Sequence, residues 1–260
     1  GYKMKLSAII IGLICLVSQA SYSFSANFNA QCAFKKLVDQ KIDTGVLLYE
    51  YQIAATTALS DQLAENAEYL EQRKGLIEIV NTDPFYLLNR QRNIFAKAYG
   101  ESSREVERFN LLIERRVGEI RNINCLESLL FARHNERFPL LRSNQEFSAY
   151  VFVKDRVMRA LLSITKKPRV GAPLIESWQD KVSEFIDNGW FFYGFLHNHP
   201  FFLKSQSSDI AGTVIPSDPD IKTINRFMED YGLEFGIITN GISTATYNSD
   251  DIEMLMRNVR

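Results

Sequence analysis

Three histidines, three cysteines and two tryptophans are spread over 260 residues. So few cysteines exclude a disulfide-dense scaffold and a four-cysteine zinc ribbon. Thirteen glycines and seven prolines exclude a collagen-like chain or a dominant low-complexity linker. Neither sign of charge is in excess: 30 basic side chains face 31 acidic ones, for a net charge of −1. No electrostatic footprint for nucleic acid is present, and none is expected as a partner. The chain also lacks a G-x-x-x-x-G-K-[ST] phosphate loop, a G-x-G-x-x-G fingerprint and a G-x-S-x-G nucleophile elbow. Beyond Val17 no apolar run approaches the ~20 residues that a spanning helix needs. What is there is ordinary globular usage, 46% hydrophobic and 23% charged, in a length suited to one large or two modest domains.

Gly1-Tyr2-Lys3 stand ahead of Met4. Lys3 and Lys5 flank that methionine, Leu6 to Val17 is apolar, and Ser18-Gln19-Ala20 places small residues at the −3 and −1 positions of a cleavage site. Residues 1–20 therefore read as a bacterial-type secretory signal peptide, too short to span a bilayer. A second cut after Ser25 is an alternative, and an uncleaved anchor is the competing reading. Ile14 precedes Cys15 where a lipobox wants a small residue, so a lipoprotein is not expected. Removing residues 1–20 takes away two lysines and no acid, and moves the net charge from −1 to −3. The expectation is a periplasmic or secreted protein without a stable membrane span.

Residues 21–142 read as one helical domain. Leu59, Leu63, Ala67, Leu70 and Ile77 recur at helical spacing, as do Val106, Phe109, Ile113, Val117 and Ile120. Between them, Asn81-Thr82-Asp83-Pro84 is a turn signal, with Pro84 suited to a first helical turn. The pattern predicts a long antiparallel hairpin folded near residue 80, which would bring Cys32 and Cys125 together at its open end. A disulfide between them is expected in an exported chain; two buried thiols are the alternative. Such a hairpin would serve as a partner-binding surface or an oligomerisation arm. His134 reads as a surface or packed histidine rather than a ligand.

From Ser143 to residue 260 the grammar changes. Phe147–Val153 and Val157–Thr165 are rich in β-formers, with a turn at Lys154-Asp155-Arg156. Leu174–Asp187 and Ile221–Tyr231 read as helices, each ending near a glycine. Trp190–Leu196 is an aromatic, apolar strand, with Trp190 to Tyr193 read as core. Phe235–Thr239 and Ile242–Tyr247 flank Asn240-Gly241, a hairpin signal. The order describes a small mixed α/β domain, so the chain as a whole is expected to be α+β.

Two of the three histidines close the aromatic strand, in Phe195-Leu196-His197-Asn198-His199-Pro200. Positions i and i+2 of a strand share a face, so both imidazoles can reach one metal ion. Downstream, Pro216-Ser217-Asp218-Pro219-Asp220 opens a helix. Its plain reading is a capping box with proline in the first turn. Its functional reading makes Asp220 a third, oxygen ligand, with a fourth position left for water. Glu146 begins the first strand of this domain.

Glu146-Phe147-Ser148-Ala149, then His197-Asn198-His199-Pro200, then Ser217-x-x-Asp220, in that order, resemble the JAMM (MPN/JAB) metallopeptidase motif over roughly residues 143–250. The resemblance implies a cytidine-deaminase-like α/β domain in which His197, His199 and Asp220 bind Zn2+. It implies Glu146 as general base and Ser217 as an oxyanion donor. Sixteen residues separate Pro200 from Ser217, more than the family usually has, and that insertion is a candidate flap. Glu176 is a rival acid, but it falls inside a predicted helix. Phe201 and Phe202 are candidates to line a substrate groove, with core packing as the alternative. The implied activity is that of an exported zinc peptidase cleaving an amide or isopeptide bond in a cell-wall peptide or exported protein. The alternatives are a non-catalytic scaffold or adaptor of the same fold, and a secreted effector or toxin.

Overall fold

The computed structural model describes residues 31–42, 46–80, 83–140, 143, 145–168, 176–201 and 212–257. The leader expected over residues 1–20 lies outside the described residues. In chain order the elements are β1 (Lys35–Ile42), β2 (Val46–Ala54), α1 (Ala55–Ala58), α2 (Ala67–Val80), α3 (Pro84–Tyr99), α4 (Arg104–Ile113), β3 (Glu119–Asn122) and α5 (Cys125–Asn135). There follow β4 (Gln145–Lys154), β5 (Val157–Pro168), α6 (Glu176–Asp187), β6 (Phe191–Asn198), α7 (Asp218–Tyr231), β7 (Phe235–Thr239), β8 (Ser243–Tyr247) and α8 (Ser249–Arg257). The class is α+β. All eight strands among the described residues join one sheet in the order β1-β2-β5-β4-β6-β7-β8-β3. Every pairing is antiparallel except that of β6 with β7, the crossover that contains α7.

Alternation of side chains along the strands builds a core on each face of the sheet. Tyr49, Tyr51 and Ile53 of β2, Phe147, Ala149 and Val151 of β4, and Met158, Ala160 and Leu162 of β5 face one way. They pack against Tyr69 and Leu76 of α2 and Leu126, Leu130 and Phe131 of α5. Val46 and Leu48 of β2, Tyr150 and Phe152 of β4, and Phe192 and Phe195 of β6 face the other way. There they meet Phe109 and Leu112 of α4, Phe185 of α6, Ile224 and Phe227 of α7 and Leu255 of α8.

The second half follows its sequence pattern in its strands and helices, but Phe191, read as core, is exposed, because alternate residues of β6 face opposite sides of the sheet and the neighbouring Phe192 takes the buried place. The turn between β4 and β5 places Asp155 and Arg156 at positive φ, as a tight hairpin requires. The helix α8 is an addition that the sequence reading lacks.

The long hairpin expected over residues 21–142 is not what the described part of that segment forms. Lys35–Ile42 and Val46–Ala54 are strands, and separate helices of at most sixteen residues replace the two arms. The reason lies in the period. Leu47, Tyr49, Tyr51 and Ile53 alternate with Val46 and Leu48 at a spacing of two, which suits a strand buried on both faces. The run from Leu59 to Ile77 is helical only from Ala67, and in it Tyr69 and Leu76 are the fully buried positions. The second run breaks after Ile113, so Val117 lies in a turn and Ile120 in β3. The arm on which a hairpin-mediated partner or oligomer was expected is therefore absent among the described residues. The boundary at 142/143 separates no layers either: β2 pairs with β5 and carries β1 on its other side, β3 pairs with β8, and the chain from Gln31 onward is one compact unit.

Cys32 and Cys125 do come together at disulfide distance, with Cα atoms 5.6 Å apart. The geometry is a different one, joining the segment before β1 to the first turn of α5. Among the described residues no helix is long and apolar enough to cross a membrane.

Candidate metal centre

The site forms where β6 ends between β4 and β7. His197 pairs with Ser148 of β4 on one side and Ile238 of β7 on the other. His199 lies just past the strand end, where its N–H donates to the Thr239 carbonyl at 2.9 Å. The β4–β5 ladder shifts register between Gln145 and Phe147, which leaves Glu146 out of the pairing. Opposite, α7 begins with a full capping box. The Ser217 hydroxyl accepts from the Asp220 N–H at 3.4 Å, and the Asp220 carboxylate accepts from the Ser217 N–H at 2.8 Å.

The structure thus brings both readings of the Ser-x-x-Asp motif together. Asp220 caps its own helix and also faces both histidines. Its Oδ2 lies 3.2 Å from His199 Nε2, and its Oδ1 lies 3.7 Å from His197 Nε2. The ligand atoms of His197, His199 and Asp220 all fall within 4.8 Å of one another, so the group could hold a metal ion. Glu146 Oε2 is 3.5 Å from His197 Nε2. His197 is buried, while His199, Asp220 and Glu146 are partly open.

The other ring nitrogens fix how the imidazoles point. His199 Nδ1 donates to the Thr213 carbonyl at 2.8 Å, and His197 Nδ1 lies 3.4 Å from the Ser148 hydroxyl. A carbonyl can only accept, so the proton of neutral His199 sits on Nδ1 and the lone pair on Nε2 faces Asp220. The same arrangement, an outer hydrogen bond orienting an inner nitrogen, is the usual support of a histidine ligand. The rings stand nearly perpendicular, at 88°, with centroids 5.1 Å apart.

Charge and burial act strongly here. Burial, with the neighbouring His199, pulls His197 down to about 4 and favours the neutral ring. His199 is also penalised by burial, but the hydrogen bond and charge of Asp220, with Glu146, raise it overall. Burial works against the Asp220 carboxylate, yet His199, His197 and the Ser217 hydroxyl hold it well below the ordinary range. Burial pushes Glu146 up to about 7, against the attraction of His199. Two nitrogens and one carboxylate oxygen are the donor set of a divalent transition metal with a position left over for water.

Not every expected residue takes its expected place. The Ser217 hydroxyl is turned inward and donates to Asp220 Oδ2 at 2.6 Å. Phe201 is only 1% exposed and packs in the core against Gly212, so it does not line an open groove. A full aromatic ring at that point gains more from burial than from facing solvent. Phe202 and most of the insertion that was a candidate flap lie outside the described residues. Glu176 opens α6, and its side chain lies outside what is described. His134 is buried between Phe138 and Phe147, a packed histidine.

Four residues were not picked out from the sequence. Ser148 and Thr213 orient the imidazoles. Asn198, the residue between the two histidines, is fully buried and accepts the Phe147 N–H at 2.5 Å, which pins the backbone beside Glu146. Arg108 of α4 reaches the segment that carries Ser217. Asn198, inside the histidine pair, and Ser148, two residues after Glu146, stood within the motif segments; Thr213 and Arg108 had no signal.

No protein-family profile, curated protein or solved structure matches the chain.

Proposed function

We propose that the chain is an exported zinc-dependent peptidase, similar to JAMM metallopeptidases, that hydrolyses an amide or isopeptide bond. The observation that carries this reading is the convergence of His197, His199 and Asp220, remote in sequence, with Glu146 beside them. A zinc ion held by these three would supply a Lewis acid and lower the pKa of a bound water toward about 7. His197 and His199 present Nε2 toward the shared position and are kept there by Ser148 and Thr213. Glu146 stands at the same position, able to accept a proton from the attacking water and pass it to the leaving amine. Ser217, exposed at the mouth of the site, would donate to a developing oxyanion once its hydroxyl turns from Asp220.

Export is supported by the leader pattern of residues 1–20 and is compatible with the Cys32–Cys125 pair. A periplasmic or secreted enzyme would meet cell-wall peptides or exported proteins as substrates. The test is Glu146→Gln assayed on purified peptidoglycan and on a mixture of exported proteins. Hydrolysis by the wild type, and metal retained with turnover lost in the variant, is the expected result. Undiminished turnover in Glu146→Gln would assign the base elsewhere. A wild type that binds metal but cleaves neither substrate class would favour the adaptor reading.

A further inference from the structure

The segment 212–218 carries the Thr213 carbonyl that orients His199 and the cap that holds Asp220, yet it belongs to no helix or strand before Asp218. Side chains from elsewhere hold its carbonyls one after another. Asn240 Nδ2 donates to Gly212 O at 2.6 Å, His199 Nδ1 to Thr213 O at 2.8 Å, and the Tyr247 hydroxyl to Val214 O at 2.9 Å. The last hold before Ser217 comes from α4. Arg108 Nη1 reaches Pro216 O at 3.5 Å and Nη2 ion-pairs with Asp218 Oδ1. One guanidinium therefore grips the chain on both sides of Ser217.

Arg108 is 4% exposed on the buried face of α4, beside Phe109, Leu111 and Leu112. A buried guanidinium is unfavourable unless it is paired, and an apolar side chain would serve packing better. Its place is accounted for by what it holds. Arginine suits this task because its planar fork can address a carbonyl and a carboxylate at once.

We propose that Arg108 is a positioning residue for the metal centre: by holding Pro216 and Asp218 it fixes the cap through which Ser217 and Asp220 face His197 and His199. This rests on the metal-site reading above for its function, but not for its geometry. It also gives the segment before residue 143 a part in the site, because α4 supplies the hold.

Two readouts test it in the full chain. The first is amide hydrogen exchange of the metal-free protein, wild type against Arg108→Met. The Ser217 and Asp220 amides should exchange about tenfold faster in the variant, with those of β4, β5 and β6 unchanged. Equal protection at Ser217 and Asp220, or a uniform rise across the sheet, would overturn the proposal. If Arg108→Met does not fold, Asp218→Asn, altered at a side chain 44% exposed, should give the same local rise. The second readout is zinc affinity by chelator competition. Arg108→Met should bind about 10–100-fold more weakly than wild type, as loss of an outer-shell support does, and unchanged affinity would overturn the role. A wild type that binds no zinc would sink the metal reading, while the exchange result would still decide the hold on the cap.

Discussion

His134 shows what burial does to a titratable side chain even where a backbone hydrogen bond at Gln145 favours the charged ring. Packed against Phe138 and Phe147, its imidazole is pulled down to about 3, chiefly by desolvation. In the unfolded chain it would titrate near its ordinary value of 6.5. Between those values the unfolded chain binds more protons, so stability rises with pH across the window. This contribution is fully present above about pH 6.5 and is lost as pH falls toward 3. We expect the urea midpoint to fall less between pH 7 and pH 5 in His134→Gln than in wild type. Equal slopes would assign the acid sensitivity to other groups, His197 among them. At this scale the site was legible where a rare residue type stood at a telling spacing, as in His197-Asn198-His199, or where a capping pattern opened a helix, as in Ser217-x-x-Asp220. It was not legible where the role of a common residue is set by register alone. Ser148 matters because β4 places it opposite His197, and Thr213 because its backbone oxygen meets His199.

Among the elements, α7 is held to the sheet by a close approach. A Cβ on Gly236 of β7 would stand 2.6–2.7 Å from methyl carbons of Ile224. We predict that Gly236→Ala costs about 1–3 kcal/mol through overpacking. Because α7 carries Asp220, it should also weaken metal binding. Chemical denaturation and zinc titration check the two effects, and a variant as stable as wild type would show that the contact yields freely. The elements of the second half were readable because turn residues punctuate them: Asp155-Arg156 between β4 and β5, Gly232 after α7, Asn240-Gly241 before β8. The first half misled because β2 reads as a nearly continuous apolar run with a buried Glu50 inside it, paired with Arg159 and Lys181. No local signal announces partners that far away, and a run apolar on both faces shows little alternation.

Across the molecule, one sheet unites what the sequence divides. The helices of the first half cover both faces of strands from the second, and α4 reaches the site itself. The Cys32–Cys125 pair ties the beginning of this unit to α5 across a sequence separation of 93. In the chain-entropy account, closing such a loop is worth about 4–5 kcal/mol. The double variant Cys32→Ser/Cys125→Ser should lose stability of that order, read by denaturant unfolding without reductant. A change below about 1 kcal/mol would place the bond outside the factors that hold the fold.

The metal centre itself is tested most directly by zinc stoichiometry and affinity, measured on the wild type, His197→Ala and Asp220→Asn after dialysis against a chelator and titration with zinc. The account predicts one equivalent bound by the wild type and affinity lowered at least tenfold in each variant. Wild-type affinity in both variants, or a wild type that takes up no zinc at all, would contradict it.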